Sequence, residues 1–169
     1  KQNGVAYTPE QLSTFIGPPM YTELMRVFGM DSALAEKITL DYRAHYREKG
    51  MFENRRYPGL EAILKRLRAL GCRLEVVTNK PEPFAVAMLR HEKLDGYFDA
   101  VTGAQMTDRT DRKAQRLTAL LADSQSRAVM VGDRQNDIFA AQAAGIDSIY
   151  VGYGFGTPAE ARACGPTIY

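Results

Sequence analysis

Cysteine is scarce in this chain: Cys72 and Cys164 stand far apart, with no CxxC spacing and no histidine pair beside them. That excludes a disulfide framework and a cysteine-built zinc site, and free thiols, buried or semi-buried, are expected instead. No apolar stretch approaches the roughly 20 residues a bilayer-spanning helix needs. A charged-then-apolar signal segment is absent from the 169 residues as well. Charge of one sign is equally missing, because 22 lysines and arginines against 20 aspartates and glutamates leave a formal +2. So small an excess gives no argument for nucleic acid. The densest basic cluster, Lys65, Arg66 and Arg68, is interleaved with leucines on a helical pattern and reads as a solvated face. His45 and His91 lie within helical patterns without a serine or cysteine partner, so structural or exposed roles are expected of both. The expectation is a cytoplasmic protein, monomer or homodimer, with no nucleic-acid or membrane partner.

What is present is an ordinary globular composition, 45% apolar and 25% charged, in a chain long enough to bury a core without staples. The pattern changes near Tyr57-Pro58-Gly59. Before it the apolar spacing is helical. A short helix is expected over 9–14, then the rigid Phe15-Ile16-Gly17-Pro18-Pro19. A second helix carries Met20, Leu24, Val27 and Phe28 up to Gly29. A third runs from Ser32, as N-cap, to Lys49, with Leu34, Ile38, Tyr42 and His45 on one face and Gly50 as terminator.

After Pro58, helix and strand alternate. Leu60, Ile63, Leu64, Leu67 and Leu70 form one helical stripe closed by Gly71. Strands are expected over 73–78, 98–102, 128–131 (of the fully buried type) and 148–151. The helices between them start at Pro81, span Ala114 to Leu121, and run from Gln135 to Ala144 before Gly145. This alternation predicts an α/β fold, a Rossmann-like parallel sheet core over 57–169 with a small all-helical domain over 1–56.

Three strand ends carry polar groups to one sheet edge, where ligands of open α/β folds bind. In Val76-Val77-Thr78-Asn79-Lys80, the Thr78 hydroxyl and neighbouring amides could hold a phosphate; a plain helix cap is the alternative. Lys113 opens a helix, where a cation opposes the macrodipole, so charge stabilisation of a phosphoryl group competes with simple surface. In Val129-Met130-Val131-Gly132-Asp133-Arg134-Gln135-Asn136-Asp137, two carboxylates flank a strand-to-helix turn. Such a pair suits Mg2+, which binds through one or two carboxylates plus substrate phosphate. Asp137 could instead be a first-turn acid favoured by the helix dipole. Gly152-Tyr153-Gly154-Phe155-Gly156 lacks the dinucleotide spacing and reads as a turn.

In order, Val77-Thr78-Asn79-Lys80, Lys113 and Val131 to Asp137 resemble motifs II, III and IV of the haloacid dehalogenase superfamily of phosphohydrolases. Phe15 to Pro19, with Phe52-Glu53-Asn54 and Tyr57-Pro58-Gly59, resembles the helical cap and return hinge of its phosphoglycolate phosphatase-like branch. The resemblance covers nearly the whole chain. It implies that Thr78 and the backbone near Asn79 hold phosphate, and that Lys113 neutralises the phosphate and the attacking carboxylate. It implies Asp133 as a Mg2+ ligand, with Asp137 assisting through a water or by orienting Lys113. Lys113, Asp133 and Asp137 are thus the expected catalytic residues, and residues 16–20 with Arg26 the expected substrate selectors.

The implied reaction is Mg2+-dependent hydrolysis of a small, phosphoglycolate-like monoester through an aspartyl-phosphate. A 5′-nucleotidase of the same fold is the alternative, as is a non-catalytic binding module. Dehalogenation suits the carboxylate pair less well, since a halide needs no cation. The family's first motif, Asp-x-Asp-Gly-Thr, supplies the nucleophile and does not occur in the 169 residues. It is expected upstream of Lys1 on a mid-sheet strand, so this polypeptide taken alone is expected to bind but not to turn over.

Overall fold

The structure, a computed structural model, describes Thr8, Leu12, residues 15–124 and residues 126–169. The helix expected over 9–14 falls largely outside them. Two compact units emerge, Leu24–Asp108 and Arg109–Tyr169, the latter together with the described residues up to Glu23. Helix α1 (Met20–Phe28) spans their boundary.

In the Leu24–Asp108 unit, α2 (Ser32–Glu48) is capped by Asp31, whose Oδ1 accepts the Leu34 amide at 2.8 Å. The cap falls one residue before the expected Ser32. Asp31 keeps extended backbone and so can turn its carboxylate onto the first-turn amides. A 3-10 turn (Gly50–Phe52) follows, then α3 (Leu60–Ala69), entered through Gly59 in the left-handed region at φ 79°. The leucine stripe of α3 is only partly covered: Leu64 is buried, but Ile63 and Leu70 are exposed. Strand β1 (Glu75–Pro81), helix α4 (Glu82–His91) and strand β2 (Ala100–Ala104) complete this unit.

β1 and β2 pair in parallel, Glu75 opposite Ala100 and Val77 opposite Thr102, with an irregularity between Val77 and Pro81. Pro81 is the last strand residue and not the first of the helix. Phe84 and Ala85 bury the inner face of α4. Gly103 lies so close to the Glu82 backbone that no Cβ would fit, and its amide donates to Glu82 Oε2.

In the other unit, α5 (Lys113–Leu121), β3 (Val129–Gly132), α6 (Gln135–Ala144), β4 (Asp147–Tyr150) and α7 (Pro158–Cys164) follow in order. β3 runs parallel to β4, with Val129 opposite Asp147 and Gly132 opposite Tyr150. Ile138, Tyr150, Ala161 and Cys164 form the core between α6, β4 and α7. The alternating elements and parallel pairings are those of the expected α/β class.

β3 is not the fully buried strand its composition suggests. Val129 and Val131 are 51% and 54% exposed. Residues two apart share one face, and among the described residues β3 pairs with β4 alone. The thiols differ as well: Cys164 is buried, whereas Cys72 is exposed, past the end of α3. No helix among the described residues is long and apolar enough to cross a membrane.

Candidate active site

The β3–α6 turn is built around one carboxylate. Asp137 sits in the first turn of α6, where a negative charge is favoured, and its Oδ2 accepts the amides of Asp133 and Arg134 at 3.1 Å each. Its Oδ1 accepts from the ammonium of Lys113, the first residue of α5. Gly132 permits this approach, since a Cβ there would collide with the Asp137 side chain. Lys113 is only 8% exposed. A buried cation at a helix N-terminus is doubly disfavoured, and the partner carboxylate offsets both costs. The backbone supports the placement: the Lys113 amide donates to Asp111 Oδ1 at 2.8 Å, and Asn136 Nδ2 holds the other oxygen of Asp111.

Asp133 is held differently. Its Oδ2 accepts the Phe155 amide at 2.6 Å. Among the described residues its other oxygen accepts no hydrogen bond. The segment that clamps it is Gly152-Tyr153-Gly154-Phe155-Gly156, which the sequence alone suggests is a mere turn. A Cβ on Gly154 would run into the Asp133 side chain, and one on Gly156 into the Tyr150 hydroxyl and the Asp133 carbonyl. The signal for this role was the alternate glycine spacing directly after the last core strand, which marks close backbone approach. Arg134 points elsewhere: Nε binds Glu160 Oε1 at 3.0 Å and Nη1 binds the Ile16 carbonyl.

With Lys113 and Asp137 neutralising one another, Asp133 leaves this cluster with a net negative charge and an oxygen to share. No three Asp, Glu, His or Cys side chains gather into a ready-made cage among the described residues. A single oriented carboxylate fits Mg2+, which takes few protein ligands and completes its shell with water and substrate oxygens. It does not fit a closed zinc centre.

Thr78 and Asn79 belong to the Leu24–Asp108 unit, at the irregular end of β1. Thr78 does not cap α4, because its Oγ1 accepts the Lys80 amide at 3.1 Å. That bond occupies the hydroxyl as acceptor and leaves its proton to be donated outward. Lys80 turns its ammonium onto Tyr46 of α2, 2.5 Å from the phenol oxygen and 4.5 Å from the ring centroid. The Tyr46 hydroxyl donates in turn to Met88 Sδ, and its ring stacks on Tyr42. Burial draws Lys80 down to about 8. It also raises the Tyr46 phenol, and burial and the Tyr46 neighbour push Tyr42 up to about 12. Lys113, Asp133 and Asp137 therefore meet within one unit, and Thr78 and Asn79 stand together in the other. Of the expected substrate selectors, Ile16 is tied to Arg134 through its carbonyl, and Arg26 lies exposed in the last turn of α1.

The family model described as haloacid dehalogenase-like hydrolase matches residues 1–151. A 5′-nucleotidase of Pseudomonas aeruginosa is 38% identical over 94% of this chain and 73% of its own length. The tyrosine-protein kinase PtkA of Mycobacterium tuberculosis is 38% identical over 83% of the chain, and the phosphoglycolate phosphatase of Neisseria meningitidis 37% over 75%. The chain spans about half the length of these last two, 49% and 55%. The crystal structure of a "predicted phosphatase" from Clostridium acetobutylicum superposes with a TM-score of 0.88 at 34% identity, covering 96% of this chain and 77% of that one.

Two outcomes follow from this geometry. Gly154→Ala displaces the Asp133 carboxylate and lowers stability in urea by about 1–3 kcal/mol, the usual cost of overpacking; an unchanged midpoint would contradict the clamp. Lys80 gives a pH signature. Between pH 8 and the ordinary lysine value of 10.5, the unfolded chain binds a proton that the folded protein lacks. Its contribution therefore makes stability rise with pH across that window. Lys80→Met is accordingly more stable than the parent at pH 7, and thermal melts show the gain shrinking towards pH 10.

Proposed function

The chain belongs to the haloacid dehalogenase-like hydrolase family, and from that premise we propose that the protein is a Mg2+-dependent phosphatase of a small, phosphoglycolate-like monoester. The observation that carries this reading is Asp133: one oxygen fixed by a backbone amide, the other accepting no hydrogen bond among the described residues, beside a buried lysine–aspartate pair. Relatives named as a phosphoglycolate phosphatase and a 5′-nucleotidase support phosphate-ester chemistry. We assign the residues up to 56 to a helical cap that excludes water over the site, and 57–169 to the catalytic core, in a cytoplasmic protein.

In this mechanism Thr78 donates its hydroxyl proton to a phosphate oxygen, with the Asn79 backbone beside it. Lys113 lays its ammonium against the charge that accumulates on the transferring phosphoryl group, where a preorganised cation in a dry site acts most strongly. Asp137 positions Lys113 and the Asp133 backbone, and its two engaged oxygens suit that role better than direct metal ligation. Asp133 would hold Mg2+, which when bound supplies further neutralisation of the phosphoryl oxygens.

The nucleophile is assigned to an Asp-x-Asp-Gly-Thr segment, which these 169 residues do not contain. Among the described residues β3 pairs with β4 alone, which accords with a further strand along its other edge. The nucleophilic carboxylate takes the phosphoryl group as the ester oxygen leaves with a proton from the second aspartate of that segment, which then accepts a proton from the water that releases phosphate from the acyl-phosphate.

The test is phosphate release from phosphoglycolate by the full-length protein with Mg2+ and with EDTA. Release is expected to depend on the metal, and Asp133→Asn to lower kcat on the order of 100-fold or more. Metal-independent release, or none, would overturn the reading.

A further inference from the structure

Lys80 plays no part in the chemistry above, yet its setting is costly. A partly buried ammonium is disfavoured unless an anion or a purpose meets it. Among the described residues no carboxylate pairs with Lys80; its partners are the Tyr46 hydroxyl and ring. Tyr46 is itself fixed, stacked on Tyr42, tilted against Phe84 at 5.7 Å and donating to Met88 Sδ. The phenol oxygen thus spends its proton on sulfur and offers a lone pair to the lysine. That arrangement orients the ammonium without neutralising it.

The same residue's amide orients the Thr78 hydroxyl. One residue therefore couples the proposed phosphate-binding threonine to a cation anchored on α2, within one unit of the fold. Tyr46 anchors the ammonium on α2, so the Lys80 charge is held by a different element from the Thr78 hydroxyl that its amide orients.

Resting on the phosphatase reading, we propose that Lys80, positioned by Tyr46, is a specificity-determining residue that binds a second acidic group on the substrate. The substrate class is then a small phosphomonoester bearing a carboxylate, as opposed to one with a neutral leaving group such as a nucleoside.

The experiment compares 2-phosphoglycolate with ethyl phosphate, which shares its two-carbon skeleton but lacks the carboxylate oxygens, using the full-length protein with Mg2+. The parent is expected to favour phosphoglycolate in kcat/KM by roughly 10- to 100-fold, the range of a charge-assisted hydrogen bond. Lys80→Met is expected to erase most of that preference by raising KM for phosphoglycolate, with ethyl phosphate changing less than about threefold. Lys80→Arg keeps much of the preference, and Tyr46→Phe, which frees the ammonium, gives an intermediate ratio. Circular dichroism confirms that each variant is folded. An equal fall for both esters would place Lys80 on the phosphate and overturn the assignment, as would an unchanged ratio. Turnover of adenosine 5′-monophosphate in preference to phosphoglycolate would also overturn it, and the phosphoglycolate-like substrate with it, while leaving Mg2+-dependent phosphatase chemistry intact. Failure to release phosphate from any of the three would remove that reading, and the inference with it.

Discussion

A lysine buried at the start of a helix is tolerable only where a carboxylate meets it, and the Lys113–Asp137 pair satisfies that condition across α5 and α6. The constraint propagates through the turn. With one oxygen committed to Lys113, the other gathers the amides of Asp133 and Arg134, which fixes the backbone where β3 becomes α6. Gly132 has no side chain because the Asp137 carboxylate occupies the space one would take. The direction of Asp133 follows from the position of its neighbour four residues on.

The second support is the glycine-rich segment after β4. It brings the Phe155 amide to the Asp133 carboxylate, so a residue at a strand end is held twice, by main chain at its side chain and by the Asp137 carboxylate at its own amide. Backbone groups on packed elements move little, which is what a group that must present one oxygen in a fixed direction requires. At the end of β1 the devices are similar in kind: an irregular strand end, a hydroxyl fixed by a nearby amide, and a lysine aimed by a tyrosine on another element.

Much of this was legible in the sequence because the signals were local. Apolar periodicity and glycine stops marked most helices and strands to within a few residues, and the order of Thr78, Lys113, Asp133 and Asp137 carried the family. What escaped were the features set by neighbours distant in sequence. The exposure of Val129 and Val131 depends on what packs on that face of β3, and a short apolar run reads as buried whatever covers it. The glycine-rich segment looked like a turn because its partner, Asp133, lies about twenty residues upstream. The asymmetry between the two oxygens of Asp137 arises only in the folded turn, since spacing brings a carboxylate near a lysine without deciding which oxygen serves which group. The tyrosine that aims Lys80 is likewise 34 residues away.

The central claim is that Lys113 and Asp137 act as one unit, and a double-mutant cycle tests it most directly. Urea denaturation of the parent, Lys113→Met, Asp137→Asn and the double variant measures the coupling. Asp137→Asn leaves a buried ammonium unpaired and should cost about 3–5 kcal/mol. The double variant should cost well under the sum of the two single changes, by more than about 1 kcal/mol. Costs that add to within about 0.5 kcal/mol would show that the two side chains act independently, and would contradict the account.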